Sequence, residues 1–387
     1  MNIEPALKAL AAALHGEGPA VELSASPDGE PVVTPVPTPG FEDAVAVVRT
    51  SGSTGKPKAT VLTVDALAAS SMATAFALKG EGQWLLALPL QYVAGVQVLV
   101  RSLFAGTRPW AMDLSEGFTA EGFTAAALEL TDNIRFTSLV PTQLQRLLAD
   151  PSADTLAVLR RFNGILLGGA PASAELLESA RNAGLRVVTT YGAAETCGGC
   201  VYDGYPLEGV ALRLAEDGRI HLGGATLAAG YLGAPRQTAE AFVEEDGGRW
   251  YRTNDLGTLD ADGRLTVLGR ADDVIITGGV KVSAAHVQAE LEKSDGVTAA
   301  FVAGVESAKW GQAVAAYVAV AGSASGDGAG SGSAARDGAA WAEEWHRTLG
   351  LLAPKTVLPA GGLIMLPNGK PDRLAMIERL NAIHQGK

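Results

Sequence analysis

Short apolar runs alternate with helix-length segments over the first half of this chain, and then the alternation stops. Ala44–Val48, Trp84–Leu88, Phe136–Val140, Gly164–Leu167 and Leu185–Thr189 read as buried strands. Val64–Leu78, Thr142–Leu148 and Ala172–Ala183 read as helices. Such an alternation predicts an α/β sheet with crossover helices on its faces. After about Tyr205 the strand-like pieces become short and turn-bounded, as in Glu216–Leu222 and around Asp260-Ala261-Asp262-Gly263-Arg264. These are hairpin signals, so this part reads as a small β subdomain. A second boundary falls near Gly269-Arg270-Ala271-Asp272, which divides the chain into domains 1–270 and 271–387. The second is expected to hold a helix at Ala284–Glu292, strands at Ala299–Ala303 and Ala313–Val320, and a terminal helical region. Residues 322–340, rich in Gly, Ser and Ala, are expected to form a flexible loop.

At 387 residues with 47% hydrophobic and 19% charged content, the chain fits a globular protein with a sizeable core. A net charge of −12 argues against a nucleic-acid partner, whose phosphates it would repel. The two cysteines, Cys197 and Cys200, cannot make a disulfide framework or complete a tetrahedral zinc site. They read as structural, and their scarcity favours a reducing compartment. The N-terminus carries Glu4 and Lys8 in an alanine-rich, helix-like stretch and not a secretory leader, so a cytoplasmic location is expected. The longest apolar stretch, Leu85 to Val100, is broken by Pro89, Gln91, Gly95 and Gln97, too short and polar to span a bilayer.

The segment with the most chemistry is Arg49-Thr50-Ser51-Gly52-Ser53-Thr54-Gly55-Lys56-Pro57-Lys58. It packs four hydroxyls, two glycines and two lysines into ten positions after an apolar strand. Glycines let backbone N–H groups approach a ligand, hydroxyls donate hydrogen bonds, and lysines supply point charges. A strand leading into such a loop, with helix-like sequence after it, suits a polyphosphate. It is not a Walker A loop, because Gly52 and Gly55 are too close and Pro57 follows Lys56. Composition alone leaves open a solvated turn.

Four further segments stand beside it. Gly168-Gly169-Ala170-Pro171 follows a strand and precedes a helix, a turn that lets backbone approach a flat ligand. In Thr190-Tyr191-Gly192-Ala193-Ala194-Glu195-Thr196, Tyr191 could stack on a base and Glu195 could hold Mg²⁺ against phosphates. Asp255, in Thr253-Asn254-Asp255-Leu256-Gly257, suits a ribose diol. Lys370 sits on the turn Pro367-Asn368-Gly369-Lys370-Pro371. Taken singly, Glu195 could be a solvated loop acid and Lys370 a surface lysine.

In this order the five motifs resemble the adenylate-forming acyl-CoA synthetase superfamily, from about residue 44 to the end. The resemblance implies a large N-terminal domain of α/β subdomains and a small mobile C-terminal α+β lid. It implies ATP, Mg²⁺ and CoA as the cofactor and co-substrates. It places Thr50 to Lys58, with Ser51, Gly52, Ser53, Thr54 and Gly55, on the β- and γ-phosphates. Gly168, Gly169, Ala170, Pro171, Tyr191 and Gly192 fall at the adenine pocket, with Thr196 in the same nucleotide-binding set. Glu195 falls at the metal ligand, and Asp255 and Arg270 at the ribose. Asp272 matches the hinge, and Lys370 the lysine bridging the acyl carboxylate and the α-phosphate. Gly278, Gly279 and Trp310 match segments facing CoA.

The segment Leu88–Arg101, with Phe136–Leu144, looks like the o-succinylbenzoate–CoA ligases of menaquinone biosynthesis. That likeness puts Arg101 near the second carboxylate of the acid, with Tyr92 and Ser138 as further substrate contacts. Arg101 at a helix end could instead snorkel to solvent, and Ser138 could be a satisfied core hydroxyl. A CoA ligase for another aryl or short acyl acid is the alternative. A carrier-protein adenylation module is less favoured because no carrier serine motif follows, and a non-catalytic adenylate binder because Glu195 and Lys370 are both present. Departures stand out. Tyr92 takes the place of a frequent histidine, and Ala194 that of a hydroxyl residue, so Thr190 or Thr196 would have to serve the α-phosphate. Only about 48 residues precede the loop, and a homodimer would cover the face a shortened N-terminal subdomain exposes. His286 receives no role.

Overall fold

The computed structural model describes residues 1–26, 28–50, 57–320, 334–366 and 371–386. The chain divides into two compact units. One comprises Met1–Ala215, Ile220–Thr253 and Leu259–Leu265; the other comprises Glu216–Arg219, Asn254–Thr258 and Thr266–Lys387.

The first unit is built on a seven-stranded sheet. Its parallel strands lie in the order Val187–Ala193, Gly164–Leu167, Arg135–Leu139, Gln83–Leu86, Trp110–Ala111. Helices Val93–Phe104, Ala120–Leu128, Pro141–Ala149, Ala153–Arg160 and Ala174–Asn182 occupy the connections. Every residue of Gln83–Leu86 and Gly164–Leu167 is buried, because crossover helices cover both faces of a parallel sheet. Trp84, Leu86, Phe136 and Leu166 pack into one core with Val96, Leu99 and Val100. Leu85, Ile165 and Leu167 point the other way, against Phe123, Leu144 and Phe162. The expected strands and helices are all present here, with ends shifted by a residue or two, except that the strand expected over Leu185–Thr189 runs over Val187–Ala193 and ends four residues later.

A second sheet runs in the order Gly230–Tyr231, Lys58–Thr63, Ala44–Thr50, Val21–Ala25, Pro31–Pro35. The N-terminal helix Glu4–Leu14 buries Ala6, Leu10 and Ala13 in the same core as Val45 and Val48. One expectation is corrected here. The Ser/Gly/Thr run does not lead into a helix. It joins two antiparallel strands whose neck is the pair Thr50↔Lys58. Lys58–Thr63 is buried over its middle four positions and rich in β-branched residues, which favours strand over helix. Helix Val64–Leu78 begins only afterwards, capped by Thr63 Oγ1 accepting from Ala66 N–H at 3.4 Å. Ser51, Gly52, Ser53, Thr54 and Gly55 lie outside the described residues. In the β region, Val210–Leu214 pairs with residues 220–224, and Phe242–Glu245 with residues 248–251, as antiparallel hairpins.

The second unit carries a sheet in the order Val280–Ser283, Val274–Thr277, Gly311–Val320, Val297–Ser307, with Thr356–Ala360 added parallel to Gly311–Val320. Alternate residues of the long strands feed two cores. Val302, Val314, Ala316 and Val318 meet Val287, Leu291, Trp341 and Trp345. Phe301, Ala313, Ala315 and Tyr317 meet Met376 and Leu380 of helix Arg373–His384. The expected loop over 322–340 needs a shorter bound, because helix Ala334–Leu349 takes in 334–340. Trp341, Trp345 and Leu349, spaced four apart, give that helix a buried stripe. Among the described residues no helix is long and apolar enough to cross a membrane.

Candidate active site

In the first unit the motif residues gather beyond the C-terminal ends of the parallel strands, the usual ligand side of such a sheet. Gly168 follows strand Gly164–Leu167, and its absent side chain matters. A Cβ there would collide with Thr190 Oγ1 on the neighbouring strand. Gly169 has φ +84°, and Ala170 and Pro171 continue outward to helix Ala174–Asn182, capped by Ser173. Tyr191 and Gly192 lie near the end of strand Val187–Ala193. Gly192 opposes Gly199 across an antiparallel pair so tightly that a Cβ would run into the Gly198 carbonyl. The backbone is therefore close and bare where the resemblance expects a flat ring.

Glu195 sits in the 3₁₀ turn Ala194–Thr196 that follows, and it is buried. Its Oε1 accepts a hydrogen bond from the Tyr231 hydroxyl at 2.7 Å. Lys58 Nζ in turn lies 3.4 Å from that hydroxyl and 4.7 Å from the centroid of the tyrosine ring. The neck of the phosphate-loop hairpin and the acid are thus joined through one tyrosine. Burial, and then the Glu195 charge, push the Tyr231 hydroxyl upward from its ordinary range, so it stays a neutral donor. Sequence reasoning missed Tyr231. The dipeptide Gly230-Tyr231 carries no local signal, and only its pairing with Lys58–Thr63 brings it to the site.

Thr196 is tied into the turn itself. Its hydroxyl accepts from Ala193 N–H at 2.9 Å and donates to the Gly198 carbonyl at 2.7 Å, so it is engaged within its own turn. The Thr190 hydroxyl donates to the Leu167 carbonyl at 3.3 Å. Both cysteines are buried and free, and burial raises both thiols, Cys200 to about 12. They are packing residues.

Among the described residues there is no group of three or more His, Cys, Asp or Glu that could cage a metal. Glu195 Oε2 takes no hydrogen bond among those residues, so it is open to a hard cation. One carboxylate plus phosphate oxygens and water is a usual Mg²⁺ environment, and the donor set fits one.

Arg101 lies in the last turn of helix Val93–Phe104 and is 7% exposed, which excludes snorkelling. Its guanidinium carbon stands 5.2 Å from the Trp84 ring centroid, and its buried Nε has no hydrogen-bond partner among the described residues. One turn earlier on the same helix face, Gln97 donates to the Cys197 carbonyl and to Ser70 Oγ. That helix starts beyond the strand ends and runs back along the sheet, so Arg101 lies toward the strand starts, in a small cavity it shares with Glu81, Trp84 and Phe136, and does not touch the Glu195 turn. Tyr92 is the half-buried N-cap residue of the helix, and Ser138 is buried on strand Arg135–Leu139.

In the second unit Arg270 grips Asp272 with two bonds, Nε to Oδ1 at 2.7 Å and Nη2 to Oδ2 at 2.8 Å. That pair holds the Asp272 carboxyl below its ordinary range, and Asp255 adds to the field on Arg270. The two residues expected at the ribose and the hinge are therefore one cluster. Gly278 (φ +56°) and Gly279 (φ +83°) form the two-residue turn between Val274–Thr277 and Val280–Ser283. Gly278 N–H donates to the Trp310 carbonyl at 3.0 Å, and a Cβ would come 2.8 Å from the indole. Gly278, Gly279 and Trp310 are thus brought together. Lys370 lies outside the described residues.

The model of the AMP-binding enzyme family matches residues 4–232, and the chain belongs to that family. Its fold is the adenylate-forming enzyme fold. A "Probable 2-succinylbenzoate--CoA ligase" of Mycobacterium tuberculosis (strain CDC 1551 / Oshkosh) is 42% identical over 346 residues, covering 87% of this chain and 85% of that protein. The "2-succinylbenzoate--CoA ligase" of Geobacillus sp. (strain WCH70) is 32% identical, over 72% of this chain and 59% of its own length. Among solved structures, MenE of Bacillus subtilis in complex with the acyl-adenylate intermediate OSB-AMP superposes with a TM-score of 0.71 at 26% identity, covering 90% of this chain and 72% of that one. ATP-bound MatB from Rhodopseudomonas palustris gives a TM-score of 0.74 at 25% identity over 89% of this chain and 70% of that one.

Proposed function

We propose that this chain is an ATP-dependent, AMP-forming acid–CoA ligase for o-succinylbenzoate, acting in menaquinone biosynthesis. The observation that carries the reading is the buried Glu195, tied through Tyr231 to Lys58 at the neck of the phosphate loop. It stands in a chain 42% identical to a probable 2-succinylbenzoate–CoA ligase.

A carboxylate is a poor electrophile. In the first half-reaction an oxygen of the acid attacks the α-phosphorus of ATP, the bond to the bridging oxygen breaks, and pyrophosphate leaves. In the second, the CoA sulfur attacks the acyl carbon, AMP leaves with the bonding pair, and the thiol proton goes to solvent. Lys58 and the hydroxyls of 50–54 hold the outer phosphates. Gly168 to Pro171 and Tyr191 present backbone and ring to adenine, and Asp255 with Arg270 serves the ribose. Glu195 would hold Mg²⁺, which supplies charge neutralisation on the phosphates. Lys370 bridges the acyl carboxylate and α-phosphate in the first step. Rotation about Asp272 brings Gly278, Gly279 and Trp310 toward CoA for the second. Arg101, buried with no anionic partner among the described residues, is the group for the acid's second carboxylate. Two free, buried thiols fit a reducing compartment such as the cytoplasm, and a homodimer is the assembly we assign.

The test is CoA- and ATP-dependent AMP release with o-succinylbenzoate, benzoate and a medium-chain fatty acid. Strong preference for the dicarboxylate is expected. Activity confined to monocarboxylates would keep the two-step chemistry and overturn the substrate.

A further inference from the structure

We infer that Tyr231 is a positioning residue for the metal-facing carboxylate: its hydroxyl occupies Glu195 Oε1, which turns Oε2 toward the cation and ties that orientation to Lys58. This rests on the reading of Glu195 as the magnesium ligand.

The geometry leaves Tyr231 little freedom. Its backbone N–H donates to Thr238 Oγ1 at 2.9 Å. Its ring meets Phe242 edge-on at 5.7 Å, and Phe242 in turn lies under Arg249, 4.5 Å from guanidinium carbon to centroid. Arg249 then donates to the Ala228 and Ala229 carbonyls at 2.8 and 2.7 Å, bracing the segment that leads into Tyr231. Ala228 N–H closes the circuit by donating to the Glu195 carbonyl at 2.9 Å. The acid is therefore held from both its backbone and its side chain by one short segment.

The tyrosine oxygen has a full set of partners. It donates its only proton to Glu195 and accepts from Tyr251 and Lys58. With the proton committed to Oε1, the carboxylate cannot rotate to present that oxygen without losing a charge-assisted bond. Partners that orient a metal ligand in this way usually change metal affinity by roughly 10–100-fold when removed.

The decisive experiment measures Mn²⁺ binding by electron paramagnetic resonance in the presence of a non-hydrolysable ATP analogue, for wild type, Tyr231→Phe and Glu195→Gln. Tyr231→Phe removes one oxygen and keeps the buried ring; a thermal melt and circular dichroism check the fold. The expected result is a roughly 10–100-fold weaker Mn²⁺ affinity in Tyr231→Phe, and adenylation that recovers as Mg²⁺ is raised. The second half-reaction, from preformed acyl-adenylate and CoA, stays at the wild-type rate. Unchanged Mn²⁺ affinity in Tyr231→Phe beside a loss in Glu195→Gln overturns the positioning role alone. Unchanged affinity in both variants overturns the metal-ligand reading beneath it. Equal loss of both half-reactions with a lowered melting temperature marks the tyrosine as a packing residue and also overturns the proposal.

Discussion

Replacing Arg101 by Met should make the protein more stable and less able to use its substrate. The side chain is 7% exposed, and among the described residues it makes no ion pair and no hydrogen bond. Its guanidinium faces the Trp84 ring at 5.2 Å, a contact worth about 0.5–2 kcal/mol. Against that stands a desolvation cost of several kcal/mol for a buried ion. Methionine keeps much of the apolar stem and suits the neighbouring aromatic rings Trp84 and Phe136. The net gain should be about 1–3 kcal/mol, or roughly 2–10 °C in melting temperature for a unit of this size. The same substitution removes the partner of the acid's second carboxylate. That loss, about 2–3 kcal/mol, raises KM for o-succinylbenzoate roughly 30- to 150-fold. Benzoate analogues without the second acid should be nearly unaffected. Differential scanning calorimetry on the free enzyme, with initial rates of AMP release on both substrate types, reads both effects. A lower melting temperature with an unchanged KM would refute the reasoning, because it would show a structural arginine whose partner is elsewhere.

Gly192→Ala forces a Cβ against the Gly198 carbonyl and to 2.8 Å from Gly199 Cα, backbone that cannot step aside. It should cost about 2–3 kcal/mol and lower the urea midpoint by roughly 1 M; an unchanged midpoint would show a looser pairing than the register implies. Gly278→Ala strains a residue at φ +56° and meets the Trp310 ring. It should raise KM for CoA several-fold, by about 1–2 kcal/mol, and leave pyrophosphate release unchanged, as steady-state kinetics of the two half-reactions will show. Cys197 and Cys200 should resist iodoacetamide at pH 8 until the fold is opened with guanidinium. Their folded-state values lie above the ordinary 9.0, so the protons are held in the native state and lost on unfolding. The stability they contribute is complete below pH 9 and declines as pH rises toward about 12, the reverse of the carboxylate case. Denaturation curves at pH 8 and pH 10.5 on wild type and the double Cys→Ala variant test this.

Local pattern carried the parallel sheet. Val64–Leu78 is found within its expected bounds because both ends carry local signals, the Thr63 cap and, just past the end, Gly80, whose N–H reaches back to the Ala75 carbonyl. Composition marks the Gly168 turn and the lone acid Glu195, while the roles assigned to them, and the choice of Gly278, rest on the resemblance. What could not be read is what depends on distant partners. Lys58–Thr63 is six residues between a polar loop and a strong helix, and its strand identity comes from pairing with Ala44–Thr50 on one side and Gly230–Tyr231 on the other. The engagement of the Thr196 hydroxyl by its own turn is likewise invisible in sequence. The two-bond grip of Arg270 on Asp272 needed coordinates for the same reason.

The two-residue strand at Gly230–Tyr231 also sets an order of events during synthesis. It covers the outer edge of Lys58–Thr63, yet Tyr231 follows Lys58 by 173 positions. At translation rates of about 5–20 residues per second, that interval is roughly 10–30 s. For that time the nascent hairpin carries an open, β-branched edge, and an open edge recruits strands from neighbouring chains. The acid, its tyrosine and the lysine cannot meet before the ribosome has passed them all, so the site is among the last features of the first unit to form. A nascent chain stalled before residue 230 would bear the loop and the acid and still lack the strand that joins them.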